Sequence, residues 1–206
     1  MTTLAKRLDT HFAACAAAAA GAAMLGGAQE ANAAIVYSGI VNITIPNTFA
    51  GVYLNIVTGL TTATGGANVG MDFNPYNVGA SMWQGPGTAN RAVQGGVVGS
   101  AANLAFGAPI SGASTFVAGA YPTMGNFAVG VSGYFGLRFL RETDSATLHG
   151  WVRMTKGTNP TTTGLIHEYA YENVAGGTIL AGDIPGPGSL ALLALGALGL
   201  RGRKRN

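Results

Sequence analysis

Two histidines, His149 and His167, are the side chains of this chain best suited to acid–base or metal chemistry. His167 begins the stretch HEYAY, which shares its first two residues with a zinc-binding helix motif. That motif needs a second histidine four residues further along, on the same helical face. Tyr171 occupies that position, and the alternating pattern of the stretch is typical of a strand. The sequence therefore predicts no metal site at these histidines.

A serine hydrolase is the least favoured of the three functions that the sequence leaves open. Ser132 lies in the stretch GVSGY, which lacks the final glycine of the nucleophile turn in such enzymes. A Ser132–His–carboxylate arrangement would depend on contacts that no spacing in the chain requires. We therefore predict no catalytic residues and no enzymatic activity.

The stretch DFNPYN offers hard oxygen ligands of the kind that Ca²⁺ prefers. Asp72, Asn74 and Asn77 would supply these ligands from one turn. The stretch lacks the full ligand set and the terminal glutamate of an EF-hand. An Asn-Pro turn held by side-chain to backbone bonds explains the same residues more simply. Ca²⁺ is the only cofactor that the sequence supports, and both interpretations stay open.

Trp83 and Trp151, or the tyrosines of the chain, are candidate stacking platforms for sugar rings. The alternative to a display role is therefore a jelly-roll-like module that binds a carbohydrate such as an exopolysaccharide. Trp151 lies two residues from His149, so the two side chains share one face of a strand. Cross-strand aromatic and polar pairs that hold the register of a hairpin explain this face better than a ligand site does.

The composition predicts a scaffold of strands for these residues. The chain has 206 residues, of which 33 are glycine and only 9% are charged, and turn signals recur along it. We predict a mainly β fold, an antiparallel, jelly-roll-like β-sandwich, over residues 34–182. Between Ala34 and Ile184 five basic side chains stand against six acidic ones, a net charge of −1. This body therefore has no basic patch for nucleic acid.

A hairpin is the clearest predicted unit, with strands at 133–140 and 148–154 joined by a polar loop. A third strand at 165–172 should follow, with Leu165, His167, Tyr169 and Tyr171 on its core face. We expect the Asn74-Pro75 pair to end an earlier strand. The other predicted strands lie at 35–45, 51–57, 69–73, 81–83, 91–98, 103–106, 127–131 and 178–180.

The first 33 residues have the pattern of a secretory signal peptide and predict a signal helix. A basic start at Lys6 and Arg7 precedes an apolar stretch over residues 13–25, and an A-x-A cleavage site follows. The expected partners are the Sec translocon and signal peptidase. Cys15 is the only cysteine, so the mature body would have no disulfide. The residues at the predicted cleavage site are Ala31, Ala33 and Ala34.

The last segment, residues 183–206, has three parts in a fixed order. A turn comes first, and an apolar run of Leu, Ala and Gly over residues 189–200 follows. That run predicts a helix of roughly 18 Å, shorter than the hydrocarbon core of about 30 Å, so it would contact membrane lipid as a marginal anchor. The turn consists of Pro185, Gly186 and Pro187, and the basic end holds Arg201, Arg203, Lys204 and Arg205.

This three-part order resembles the PEP-CTERM sorting signal of exported bacterial proteins, a motif also called an ice-binding protein C-terminal domain. In that family an exosortase, an integral-membrane cysteine transpeptidase, recognises the tail, and the body goes to the cell surface or extracellular matrix. The family has Glu between the two prolines, where this chain has Gly186. The resemblance implies an exported protein of the cell surface or extracellular matrix. Since no motif indicates catalysis, we predict a non-catalytic structural or display role.

A second resemblance covers residues 134–172. The stretches YFGLRF, LHGWVRM and HEYAYEN are similar to the C-terminal part of many exported β-proteins that carry the same sorting signal. This similarity implies a structural type and not a reaction. The residues that carry it are Tyr134, Gly136, Arg138, Phe139, His149, Gly150, Trp151, Val152, Tyr171 and Glu172.

Overall fold

The structure is a computed structural model that describes residues 35–64, 70–84, 90–158 and 162–185. In these ranges no helix has both the length and the apolar composition that a membrane crossing requires. Pro185, the last of them, is exposed. The predicted signal and tail helices lie outside these ranges, together with Ala31, Ala33, Ala34, Gly186, Pro187, Arg201, Arg203, Lys204 and Arg205.

The prediction of a mainly β, antiparallel fold is confirmed. Most of the strands are only two or three residues long, whereas the last three before the final short strand have nine residues each. In chain order the strands are β1 (Ile35–Tyr37), β2 (Ile43–Ile45), β3 (Tyr53–Leu54), β4 (Thr61–Thr62), β5 (Asn74–Tyr76), β6 (Ser81–Trp83), β7 (Arg91–Ala92), β8 (Asn103–Leu104), β9 (Pro109–Ile110), β10 (Ser132–Leu140), β11 (Thr147–Thr155), β12 (Gly164–Glu172) and β13 (Ile179–Leu180).

Strands β10, β11 and β12 form the centre of a seven-stranded sheet. On one side β1 and β2 pair in turn with β12, and on the other β7 and β8 pair with β10. The predicted hairpin is confirmed as β10 and β11. Its loop is closed by Arg141, whose N–H donates to the Ala146 carbonyl at 2.9 Å and whose guanidinium pairs with Asp144 at 2.6 Å.

Both faces of the central sheet are covered. On one face Phe135 packs edge-on against Phe73 and contacts Phe127 in the main core. On the other face Trp151 and Ile110 belong to a second, smaller core. Each large side chain that is fully buried in this way contributes about 1.5–3 kcal/mol, so the two cores together stabilise the sheet from both sides.

The predicted core face of the third strand is only partly correct. Tyr169 and Tyr171 are buried against the main core, as expected. At the other end of β12, however, Ile166 is the buried residue, at 0% exposure, while Leu165 and His167 are only half-buried. The prediction was therefore wrong for Leu165 and His167, because the strand does not alternate regularly along its whole length.

A register shift explains this irregularity. Glu168 stands opposite Arg153, whereas Ile166 stands opposite the next residue of β11, Met154. His167 is thus an extra residue on β12, which is the definition of a β-bulge. A bulge moves the residues before it to the other face of the strand, and a pattern of strict alternation cannot show it.

Several shorter predicted strands are interrupted. The predicted strand 35–45 is split because residues 38–42 leave the ladder, with Gly39 and Asn42 at φ values of 70° and 48°. The predicted strand 69–73 is wrong in position, since of its described residues only Phe73 is paired, in a bridge to Leu54, and the strand itself begins at Asn74. Pro75 remains in β5 because its carbonyl accepts the Val52 N–H at 3.0 Å, so its missing N–H costs one ladder bond.

Two-stranded ribbons cover the faces of the large sheet. The β3–β4 and β5–β6 ribbons bring Leu54, Phe73 and Met82 to the main core, and the β9–β13 ribbon brings Ile110 and Ile179 to the second core. In the part of the chain that the structure describes, the layers facing the large sheet therefore consist of ribbons and loops instead of a second continuous sheet.

Candidate functional site

His149 is used in packing. Its side chain is 1% exposed, and its Nδ1 lies 2.7 Å from the carbonyl oxygen of Gly177. The ring also stacks on Phe116, with 6.2 Å between the ring centroids. Burial lowers the pKa of His149. The neutral ring can therefore donate its Nδ1 hydrogen to Gly177, and this bond holds the chain after β12 against the sheet.

His167 bonds to a threonine beside the serine of the hydrolase hypothesis. Its Nε2 lies 2.7 Å from Thr155 Oγ1. Burial, and after it the positive charge of Arg153, lower the pKa of His167. Ser132 is exposed and stands opposite Thr155 in the β10–β11 ladder. The described contact of His167 Nε2 is thus with Thr155, on the neighbouring strand β11.

Glu168 is the centre of a polar link between three strands. The Tyr37 hydroxyl donates to its Oε2, and Arg153 Nε lies 2.6 Å from its Oε1. Burial raises the pKa of Glu168, but the hydrogen bonds from Tyr37 and Arg153 outweigh this effect and leave the pKa below its usual value. A carboxylate held by two donors in this way joins β1, β11 and β12 and stays ionised.

Two of the three residues of the Ca²⁺ hypothesis, Asp72 and Asn74, use their side chains in hydrogen bonds to backbone groups far away in the sequence. Asp72 is 3% exposed, and its Oδ2 accepts the Ile56 N–H at 2.9 Å. Asn74 Nδ2 donates to the Ala50 carbonyl at 2.9 Å. Asn77 has a φ of 49° in a short 3-10 turn, Asn77–Gly79. The bonds of Asp72 and Asn74 reach backbone groups 16 and 24 residues away, and Asn74 and Pro75 lie in strand β5. The interpretation of this stretch as an Asn-Pro turn held by local side-chain bonds is therefore wrong.

Burial raises the pKa of Asp72 to about 8, so its carboxyl is protonated at neutral pH when no cation is bound. The described residues contain no group of three or more His, Cys, Asp or Glu side chains that could hold a metal ion. Ca²⁺ binding at Asp72, Asn74 and Asn77 stays a prediction, with calorimetry on added Ca²⁺ as its measurement.

Trp151 does not offer a platform to a sugar. Its side chain is 1% exposed, and its Nε1 donates to the Asp183 carbonyl at 3.1 Å. Tyr134 packs edge-on against the indole at a centroid distance of 5.5 Å. The prediction of an exposed Trp151 is therefore wrong, because the second core and the last described residues cover this face of the sheet.

Trp83 lies in a different setting, at the end of the β5–β6 ribbon. Asn74 stands directly opposite Trp83 in that ribbon. A bridge between Leu54 and Phe73 brings β3 to the other side of β5 and places Tyr53 opposite Asn74. Tyr53, Asn74 and Trp83 thus form one cross-strand row, and the Tyr53 and Trp83 rings meet nearly perpendicularly at 6.0 Å.

An open cleft of about 210 Å³ lies over this row, and we refer to it as the aromatic cleft. Phe49 and Tyr121 are 80% and 63% exposed, so the cleft opens to solvent at these two rings. The Phe49 ring packs edge-on against Tyr76 at 5.3 Å. The residues that line the cleft are Phe49, Tyr53, Asn74, Tyr76, Trp83 and Tyr121.

Two backbone features hold the walls of the aromatic cleft together. Gly51 has a φ of 64°, and a Cβ there would overlap the Pro75 carbonyl and approach the Tyr76 Cβ. Only glycine permits this approach of the two chains without strain. On the opposite wall, the Gln84 N–H donates to the Ala120 carbonyl at 3.0 Å. This bond places the loop that carries Tyr121 beside the end of β6.

Sequence reasoning identified Trp83 and considered the tyrosines only as a class, without distinguishing the three of the cleft, and it missed Phe49. Tyr53 and Tyr76 belong to short strands, and Phe49 and Tyr121 to the loops around them. A weak signal was present, since aromatic residues recur near Trp83 along the first part of the body. The spacing along the chain does not show which of them converge, because the contacts join segments far apart in sequence.

Comparison of the chain with protein-family models, curated proteins and solved structures gives no match.

Proposed function

We propose that this chain is an exported protein of the cell surface or extracellular matrix, with a non-catalytic display role and a PEP-CTERM-like tail as its sorting and anchoring signal. The observation that carries this proposal is the Trp151–Asp183 hydrogen bond. Among the described residues, Ala181 is 0% exposed, whereas Ile184 is 48% exposed. Exposure thus increases over the few described residues that precede the tail-like sequence at Pro185.

The state of the polar side chains supports a non-catalytic role. The bond from His149 to Gly177, the bond from His167 to Thr155 and the two bonds to Glu168 all connect neighbouring segments of the fold. Groups fixed in this way stabilise a scaffold and would have to break these bonds to act on a substrate. We include in the proposal a jelly-roll-like arrangement of the body, for which the antiparallel pairing of its strands is the support.

The proposal involves four partners in sequence. The Sec translocon and signal peptidase would export the chain and remove residues 1–33. The apolar run 189–200 would hold the body at membrane lipid, and an exosortase would recognise the tail near Pro185. Since the described body carries the net charge of −1 and the basic residues of the tail are separate from it, no nucleic-acid partner is proposed.

The test is to express the full chain in a bacterium that has an exosortase, and to compare it with a chain that ends at Pro185. We expect the mass of the mature protein to correspond to a chain that begins near Ala34. The full chain should be found in the membrane or surface fraction, and the shortened chain should be released into the medium. Gly186→Glu, which restores the family's residue, should increase processing, and Gly186→Gln should not. Uncut full chain in the cytosol would contradict the proposal.

A second candidate function, binding of a carbohydrate such as an exopolysaccharide, is favoured by the aromatic cleft around Trp83. A display protein in a polymer layer and a glycan-binding module are compatible roles for one body.

A further inference from the structure

We propose that the aromatic cleft binds one neutral sugar residue within a longer glycan chain. This inference rests on the carbohydrate-binding candidate function and specifies its ligand class. Three properties of the cleft lead to it: its aromatic faces, its uncharged lining and its size.

The aromatic rings of the cleft remain accessible in a fold that buries most of its other rings. Phe73, Phe127 and Phe135 are each 1% exposed, whereas Phe49 and Tyr121 are 80% and 63% exposed. Large exposed apolar groups that lie together commonly mark a binding site. The flat C–H face of a sugar ring can cover an aromatic ring, while the sugar hydroxyls remain at its edge in contact with water or polar groups.

The lining of the cleft is polar but uncharged. None of its six lining side chains within the described ranges carries a charge. Tyr53, Tyr76 and Tyr121 each carry a hydroxyl that can both donate and accept. Asn74 is 1% exposed and its Nδ2 donates to Ala50, so its side chain supports the floor of the cleft. This set suits a ligand with several neutral hydroxyls and offers no counter-charge to an anionic one.

The size and opening of the cleft favour a single ring in a chain. Pockets for drug-sized ligands usually measure about 300–1,000 Å³, and this cleft, at about 210 Å³, is smaller. A proline-rich peptide would need successive grooves about 9 Å apart, which is the length of one turn of its helix. The aromatic cleft is one groove and therefore suits a single ring better. The exposed rings at the rim leave room for a glycan chain to enter and leave around the bound residue.

Titration of the purified full-length chain in detergent with neutral hexasaccharides tests the proposal. The probes are glucose, mannose, galactose and N-acetylglucosamine hexamers, with a galacturonic acid hexamer and decaproline for comparison. Calorimetry gives the affinity. Tryptophan emission reports contact, because Trp151 is buried and Trp83 lines the cleft. We expect saturable binding of at least one neutral hexamer, with a change in affinity of less than about twofold between low and high salt.

Tyr121→Ala and Phe49→Ala are the test variants, and Phe106→Ala is the matched control. All three rings are exposed, so none of the substitutions should prevent folding, and Phe106 is 75% exposed outside the cleft. Each test variant should weaken binding about tenfold or more, and the control by less than about twofold.

Three results would overturn the proposal: no binding of any neutral hexamer, unchanged affinity in both cleft variants, or preferential binding of the galacturonic acid hexamer or decaproline. The assay uses purified protein, so its result is independent of where the chain is located in the cell. If the export proposal fails, the result of this binding assay still stands, and if the assay finds no binding, the export proposal still stands.

Discussion

The indole Nε1 of Trp151 donates a hydrogen bond of 3.1 Å to the carbonyl oxygen of Asp183. The bond ties the middle of β11, the central strand of the large sheet, to one of the last residues that the structure describes. The Trp151 ring also contacts Tyr37 and Tyr134, on β1 and β10. One buried side chain thus contacts residues of β1 and β10 and is bonded to Asp183, two residues before Pro185.

Trp151→Phe should lower the free energy of unfolding by about 1–3 kcal/mol, because it leaves the Asp183 carbonyl without this donor and opens a small cavity. Urea unfolding followed by circular dichroism measures the loss. The same substitution at Trp83 is the control and should cost less, since Trp83 is only half-buried. Equal losses at the two positions would show that the Asp183 bond contributes nothing measurable.

His149→Ala should destabilise the body by about 2–4 kcal/mol, because it removes the stacked ring and leaves the Gly177 carbonyl without its 2.7 Å partner. The control is His167→Ala, whose half-buried side chain should cost about 1 kcal/mol or less. Thermal and urea unfolding of both variants provide the comparison. A larger loss for His167→Ala would contradict the assignment of His149 as the principal structural histidine.

The hairpin and the strand after it were predictable because each has nine residues, and Phe135, Leu137 and Phe139 alternate with polar or small residues over that length. The face of β12 at His167 was not predictable, since the bulge there depends on pairing with β11. Strands β3 and β8 have two residues each, too few to show any period. Their positions depend on contacts with distant segments.

The site was less predictable than the fold for the same reason. Trp83 and Trp151 are chemically equal candidates in the sequence, and only the packing of the sheet distinguishes them. Trp151 lies on a central strand that is covered on both faces, whereas Trp83 ends a ribbon at the periphery. Tyr121 joins Trp83 in the cleft although the two are 38 positions apart in the chain.

Asp72 should make stability depend on pH. Burial raises its pKa from 3.8 to about 8 in the folded state, so the folded protein holds a proton that the unfolded chain has lost between these values. The stabilisation that Asp72 contributes is fully present below pH 3.8. As the pH rises from 3.8 to about 8 it is lost, and the free energy of unfolding falls by up to about 1.4 kcal/mol per pH unit. Asp72→Asn should remove this decline, because its amide oxygen can still accept the Ile56 N–H.

Unfolding in urea at intervals from pH 4 to pH 9 measures this effect, and Asp144→Asn is the control. The hydrogen bond from Arg141 lowers the pKa of the exposed Asp144 to about 2. Any contribution from Asp144 is therefore present above pH 3.8 and is lost only as the pH falls towards 2, below the measured interval. The same decline between pH 4 and pH 8 in wild type and Asp72→Asn would refute the assignment to Asp72.

Gly164→Ala should be among the most disruptive single-atom additions in the body. A Cβ at Gly164 would overlap the carbonyl carbon and oxygen of Val78. That carbonyl is fixed, because it accepts the Gly157 N–H at 2.8 Å, so it cannot move aside without breaking the bond. We expect a loss of about 3 kcal/mol or more, or no folded protein, since overpacking against fixed backbone cannot relax locally. Gly125→Ala is the matched control: a Cβ there meets no atom within 4 Å, so its free energy of unfolding in urea should equal that of wild type within about 0.5 kcal/mol. Equal midpoints for the two variants would mean that β12 and the Val78 turn do not approach each other this closely.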